Sequence, residues 1–289
     1  MYNKSVMHCL LGGAAALVLS TSLAEAQPRN LRSDAPPVSI RDLAPDTQTA
    51  WVPDRPTGDD YLPPLSGPGP VTGTKDHPYV PNGQGQPTYR VAELNNPILQ
   101  DWVKVPMKKA NDEVLAGKVP YITRERCWPA GVPGFTVYTR VQAIHFYPSK
   151  GEITIINELN TQIRHIYLDV PHSANPGHSW YGESVGHYEG DELVVDTIGL
   201  NDRTFVDNYR TPHTDKIHVV ERWKLLDGGK TLQATVTVDD PGAFNMPWTG
   251  VQRWQRIDRE LVENLCEESN VEFLGYEVVP IPQAKKPDF

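Results

Sequence analysis

From Gly134 onward the chain reads as short, alternating apolar runs broken by turn residues, a rhythm that restricts it to a mainly β architecture. The runs cover 137–147, 152–158, 162–170, 184–188, 192–198, 216–226, 231–239 and 251–257. Several of the breaks are tight-turn sequences: Pro148-Ser149-Lys150-Gly151, Leu159-Asn160-Thr161, Glu189-Gly190-Asp191 and Asp227-Gly228-Gly229-Lys230. About eight strands joined this way form an antiparallel meander, and closing it removes the exposed edges of an open sheet. The expectation is a roughly eight-stranded, lipocalin-like barrel.

Alternation shows which faces are buried. In 231–239, Leu232, Ala234, Val236 and Val238 share one face, and Thr231, Gln233, Thr235 and Thr237 the other. In 216–226 the apolar face holds Ile217, Val219, Trp223 and Leu225, with Glu221 among them. A carboxylate there is costly unless paired or protonated. His218, Val220 and Arg222 point the other way, so both faces of this strand read as partly covered.

The N-terminal part has a different character. Lys4, the apolar run from Cys9 to Leu19 and the small-x-small site Ala24-Glu25-Ala26 read as a secretory signal over 1–26. The run is too short to span a bilayer, so no membrane span is expected. Residues 27–94 form a Pro-rich extended arm, densest in Pro, Gly, Asp and Ser up to about Gln86, with Trp51, Tyr61 and Tyr79 available to anchor it. A helical segment over 95–126 follows, signalled by Ile98, Leu99, Trp102 and Val103, with Pro106 expected to break or kink it. The barrel domain and a C-terminal tail occupy 127–289. Export to the periplasm or beyond would place Cys127 and Cys266 in an oxidising compartment, where a disulfide between them would clasp both ends of the barrel. A loop of that length stabilises by about 4–5 kcal/mol in the chain-entropy model.

The formal net charge of −9 argues against nucleic acid and anionic membrane surfaces as partners. The cations are scattered, with no run longer than Lys108-Lys109 or Lys285-Lys286. The charge fits an exported protein without identifying a substrate, and the partner expected is a small-molecule or oligosaccharide substrate.

The region most suited to chemistry runs from His172 to Arg222. It carries His172, His178, His187, His213 and His218 among Trp, Tyr, Asp and Glu. Histidine transfers protons near neutral pH and is a common metal ligand. Ser184 lies in Gly182-Glu183-Ser184-Val185-Gly186, which matches Gly-x-Ser-x-Gly as a string. A nucleophile elbow needs a strand-to-helix turn, and here a hairpin follows, so the match is read as chance.

The block Trp180-x-Gly182-x-Ser184-x-Gly186 and Glu189-Gly190-Asp191-x-Leu193-Val194-Val195-Asp196-Thr197 resembles a family of secreted bacterial proteins of mostly unassigned function. Pro212-His213-Thr214, His218-Val219-x-Glu221-Arg222, Asp240-Pro241 and Trp248 match the same pattern, as do the flanks Cys127-x-Pro129-x-Gly131-x-Pro133 and Glu263-x-x-Cys266-x-Glu268. The resemblance covers about half of the chain and implies no settled activity. It departs from the pattern at Glu183, where a His is usual, and at Tyr188, where a Trp is usual.

The favoured reading is a lyase, isomerase or hydrolase step on a carbohydrate or aromatic substrate by His–carboxylate acid–base chemistry. His213, His218 and Glu221 form the catalytic group, and His178, Glu183 and His187 meet it across the barrel mouth. Arg222 or Tyr167 would stabilise developing charge, and Trp180, Tyr181 and Trp248 would line the substrate site. No cofactor is required, although a divalent metal on His213, His218 and His178, completed by Glu221, Asp196 or Glu183, is a second reading. A lipocalin-like carrier of an apolar or aromatic ligand is the third, and an envelope protein docked through its arm the fourth. Glu158 and Arg164 are expected to form a cross-hairpin ion pair, and His145 and His165 to be structural.

Overall fold

A computed structural model describes residues 39–54, 60–77, 90–118, 123, 127–137 and 142–265. Nine strands close into one barrel: β1 Thr49–Pro53, β2 Ile144–Ser149, β3 Glu152–Asn157, β4 Gln162–Leu168, β5 Glu183–Glu189, β6 Glu192–Ile198, β7 His218–Leu226, β8 Thr231–Asp239 and β9 Trp248–Asp258. Strands β2 to β9 answer the eight expected runs. The first of those runs is shorter than expected, because Gly134–Val137 forms a helical turn, α2, before β2 begins.

The ninth strand comes from the segment read as an extended arm. β1 pairs along β9 from Thr49↔Asp258 to Pro53↔Trp254 and touches β2 at Trp51↔Ile144. Five residues between Pro-rich flanks carry too few alternations to register as a strand, and only the waiting edge of β9 selects the conformation. Trp51 and Tyr61 are buried rather than laid along the surface. Trp51 Nε1 donates to the Leu43 carbonyl (3.0 Å), and the Tyr61 hydroxyl to the Val206 carbonyl (3.0 Å). Tyr79 and Cys266 lie outside the described residues, as does the expected signal segment.

The meander also has one parallel step. β4 and β5 pair in parallel at Tyr167↔Val185 and Leu168↔Gly186, because the chain between them crosses back before β5 starts. Gly186 serves that contact. A Cβ there would sit 2.8 Å from Ile166 Cγ2 and 3.2 Å from the Val194 carbonyl oxygen.

Among the described residues the helical segment is carried by α1 (Asp101–Leu115), which continues through Pro106. Val103, Met107, Ala110 and Asn111 form its buried stripe, while Trp102 and Pro106 are exposed. The backbone donor missing at Pro106 therefore lies on the outer side, where the freed Trp102 carbonyl is not buried in the core. Asn111 ties the helix to the chain before it, accepting from Ala92 N (2.8 Å) and donating to Ala92 O (2.9 Å). Among the described residues no helix is long and apolar enough to cross a membrane.

The register fixes the inward face. Phe146, Ile155, Arg164, Ile166, Ser184, Val195, Thr197, Glu221, Trp223, Ala234, Val236, Gln252 and Trp254 all fall on it by pairing and alternation. The interior is thus apolar at most positions and polar around Arg164 and Glu221.

Candidate functional site

Three adjacent strands, β5 to β7, each present chemistry to both faces. Glu183, Asp196 and His218 point outward, whereas Ser184, Thr197 and Glu221 point inward. Neighbouring residues in the sequence thus belong to two separate groups on either side of one wall.

The outer group is completed by the crossover from β4 to β5. Asp169 turns the chain out with a left-handed φ of 57°, its N–H donating to the Gly186 carbonyl (2.8 Å). The segment then lays His172 over the wall. His172 Nδ1 meets Glu183 Oε1 at 2.9 Å, and Nε2 meets Asp196 Oδ1 at 3.0 Å. The same Asp196 oxygen accepts from His218 Nε2 at 2.8 Å. Ser173 adds its N–H to Glu183 Oε1 (2.7 Å) and its hydroxyl to Glu183 Oε2.

These contacts shift the titrations in a consistent direction. The hydrogen bond from His218 holds the Asp196 carboxyl below its ordinary range, and the reciprocal bond raises His218. Glu183 is lowered chiefly by the Ser173 hydroxyl and N–H. The His218 side chain keeps 41 % of its exposure and Asp196 38 %, so the pair is reachable from outside. Among the described residues Nδ1 of His218 makes no hydrogen bond.

The inner group centres on an ion pair. Arg164 Nη2 lies 2.5 Å from Glu221 Oε2, with the two side chains 1 % and 0 % exposed. Arg164 also donates to Ser184 Oγ (3.2 Å) and Thr197 Oγ1 (2.9 Å), and those hydroxyls bond each other at 2.9 Å. The expected pairing of Arg164 with Glu158 is therefore corrected. Arg164 points into the barrel, whereas Glu158 lies beyond the end of β3, where it binds His145 Nε2 (3.0 Å), Ala143 N (2.9 Å) and Arg259. His165 pairs with Glu152 on the outer surface.

The other expected site residues are dispersed. His213 is buried, donating from Nδ1 to the Thr214 carbonyl (3.0 Å) while Nε2 faces Thr204 Oγ1 (2.8 Å), and burial lowers its pKa. Both of its nitrogens are engaged, and it does not join His218. Glu221 is separated from His218 by the barrel wall, because three residues along a strand reverse the face. His178 donates to the Leu200 carbonyl (3.0 Å), and His187 pairs with exposed Glu189 (2.9 Å). The proposed His213, His218 and His178 ligand set is thus not brought together. Among the described residues no three His, Cys, Asp or Glu side chains are arranged to hold a metal ion.

Arg222 binds Glu189 (2.8 Å) and Glu192 (3.1 Å) on the outside. Tyr167 is exposed and stacked on His165. Tyr181 donates to Gln162 Oε1 (2.6 Å), and burial pushes its hydroxyl pKa up. Trp180 lies against Trp128, with ring centroids 5.4 Å apart. Trp248 is an inward, buried residue of β9, with Tyr61 and Phe244 edge-on to it.

Sequence reasoning kept His218 and Glu183 as site residues and named Asp196 as a possible ligand, but it missed the partners that organise them. Strand parity alone could have grouped Glu183, Asp196 and His218 on one face. The density of histidines marks His172 without giving its role, nothing local marks Ser173, and both reach the site only through the parallel crossover. No family model, curated protein or solved structure matches this chain.

Proposed function

We propose that this chain is an exported enzyme, of lyase, isomerase or hydrolase type, acting on a carbohydrate or aromatic substrate at the outer cluster. We also propose that it belongs to the secreted bacterial family its motifs resemble. The observation that carries the catalytic reading is the single Asp196 oxygen shared by His218 and His172. Asp196 holds the proton on Nε2 of His218, which leaves Nδ1 with a lone pair directed away from the carboxylate. Nδ1 then removes a proton from the substrate, the imidazolium formed is stabilised by Asp196, and the same nitrogen returns the proton to a second substrate atom or a leaving group. His172 and Ser173 are positioning residues that keep Glu183 and Asp196 in place. A cluster open along the wall suits an oligomeric substrate better than a fully enclosed one.

The test is turnover by the exported chain on a panel of polysaccharides and aryl esters, comparing wild type, His218→Asn and His213→Ala. His218→Asn is expected to lower kcat at least about 100-fold with the fold retained by circular dichroism. His213→Ala, if folded, keeps turnover. Undiminished turnover in folded His218→Asn would overturn the assignment.

A further inference from the structure

The crossover between β4 and β5 is held to the barrel wall chiefly by polar contacts. From Val170 to Ser179 every residue is exposed except His172 and Pro176, which are partly buried. Among the described residues, the hydrogen bonds of 170–177 all run to Glu183 and Asp196. His172 contacts both carboxylates, and Ser173 gives its N–H and its hydroxyl to Glu183. A segment with so little apolar burial opens at low cost once such contacts are lost.

The path of the segment decides what it covers. Asp169 is hydrogen-bonded to Gly186, and His172 sits between Glu183 and Asp196, so Val170 and Pro171 return past Val185. Val185 is flanked in register by Tyr167 on β4 and Asp196 on β6, all three on the outer face. The segment therefore separates exposed Tyr167 from the Asp196–His218 pair.

His172 carries two ring protons in this arrangement. Its Nδ1 lies 2.9 Å from Glu183 Oε1 and its Nε2 3.0 Å from Asp196 Oδ1. Ionised carboxylates only accept hydrogen bonds, so a ring nitrogen facing one has to donate, and only the imidazolium donates from both. Glu183 and Asp196 are each held below the ordinary carboxylate range, Glu183 chiefly by the Ser173 hydroxyl and Asp196 chiefly by His218. From β7, His218 reaches the same Asp196 oxygen, and Asp239 on β8 adds its charge beyond it. The segment's own Asp169 acts on Tyr188. A neutral His172 would turn a lone pair toward one of its two carboxylates and lose that contact.

We propose that residues 170–177 form a strap that is closed while His172 is protonated and lifts when His172 loses that proton, opening the outer wall from His218 past Asp196 to Tyr167. This regulation rests on the outer cluster being the active site. Opening leaves the shared Asp196 oxygen to His218 alone. It also joins the Tyr167 ring to the site, as an apolar surface for a sugar or aryl ring.

The experiment is nuclear magnetic resonance on the full chain at about pH 5 and about pH 8, the span over which histidine ordinarily changes charge. It reads the protonation of the His172 ring and the backbone order parameters of Ser173 and Ala174. At the lower pH both ring nitrogens are expected to carry protons, with order parameters of about 0.85, and at the higher pH the order parameters should fall below about 0.6. His172→Arg stays charged and can donate to both carboxylates, so it should keep the strap ordered at both pH values. His172→Gln should leave it mobile at both. The proposal fails if an ordered strap holds a singly protonated ring at about pH 5, if wild-type order is the same at both pH values, or if both variants show the wild-type loss of order. Neither readout requires turnover, so a failure of the catalytic assignment shows separately, as undiminished turnover in folded His218→Asn.

Discussion

His218 and Glu221 are three residues apart on β7 and face opposite sides of the barrel wall, so substitutions at the two positions report different physics. Asp196→Asn removes the carboxylate that raises His218. The His218 titration, followed by NMR, should therefore move to lower pH, and the acid limb of any rate profile should move with it. The linkage signs of the pair oppose each other. Raised His218 contributes stability below its unfolded value of about 6.5 that is lost as pH rises through its folded value. Lowered Asp196 contributes above its unfolded value and loses that contribution as pH falls, so the pair supports the fold best between the two. At Glu221 the issue is burial. Glu221→Gln leaves Arg164 charged and unpaired and should cost about 3–5 kcal/mol in urea unfolding. The double variant Arg164→Met, Glu221→Leu should recover most of that loss, because it removes both charges together.

At the scale of elements, β1 and α1 show where local pattern and tertiary context disagree. β1 is five residues long but carries Trp51 into the core, so Trp51→Ala should destabilise by about 3–5 kcal/mol. A residue merely resting on the surface would cost far less, and chemical denaturation separates the two. α1 accepts Pro106 at the expense of one intrahelical bond on its exposed side. Pro106→Ala should restore that bond and raise stability by about 1–3 kcal/mol, seen as a higher Tm. The strands of 192–198 and 231–239 were legible to the residue, since both are bounded by turn residues and 231–239 also alternates apolar with polar residues. The parallel contact of β4 with β5 was not, because strand direction depends on where a crossover ends rather than on its composition.

For the molecule as a whole, pH dependence should be set partly by Asp207. This carboxyl is fully enclosed, and burial, together with the nearby Asp60 charge, pushes its pKa up to about 7. Asp60 is itself paired with Arg90 at 2.7 Å. Because the folded value exceeds the unfolded one, the folded state binds the extra proton across this interval. The contribution of Asp207 is therefore present at about pH 4 and lost as pH rises to about 7. Asp207→Asn should flatten that decline in Tm while keeping an acceptor for the Tyr209 and Thr211 N–H groups.

The sequence by itself determined the strand content, most strand positions and the division of each strand into two faces. Those properties are local: period-two alternation and turn chemistry operate within a few residues. It also marked Glu221 as a carboxylate that required a partner. Only the tertiary structure decided that the partner is Arg164, that His172 rather than His213 joins His218, and that residues 49–53 complete the barrel. Each of those outcomes depends on which distant strands become neighbours when the sheet closes, and closure is a property of the register of all nine strands together.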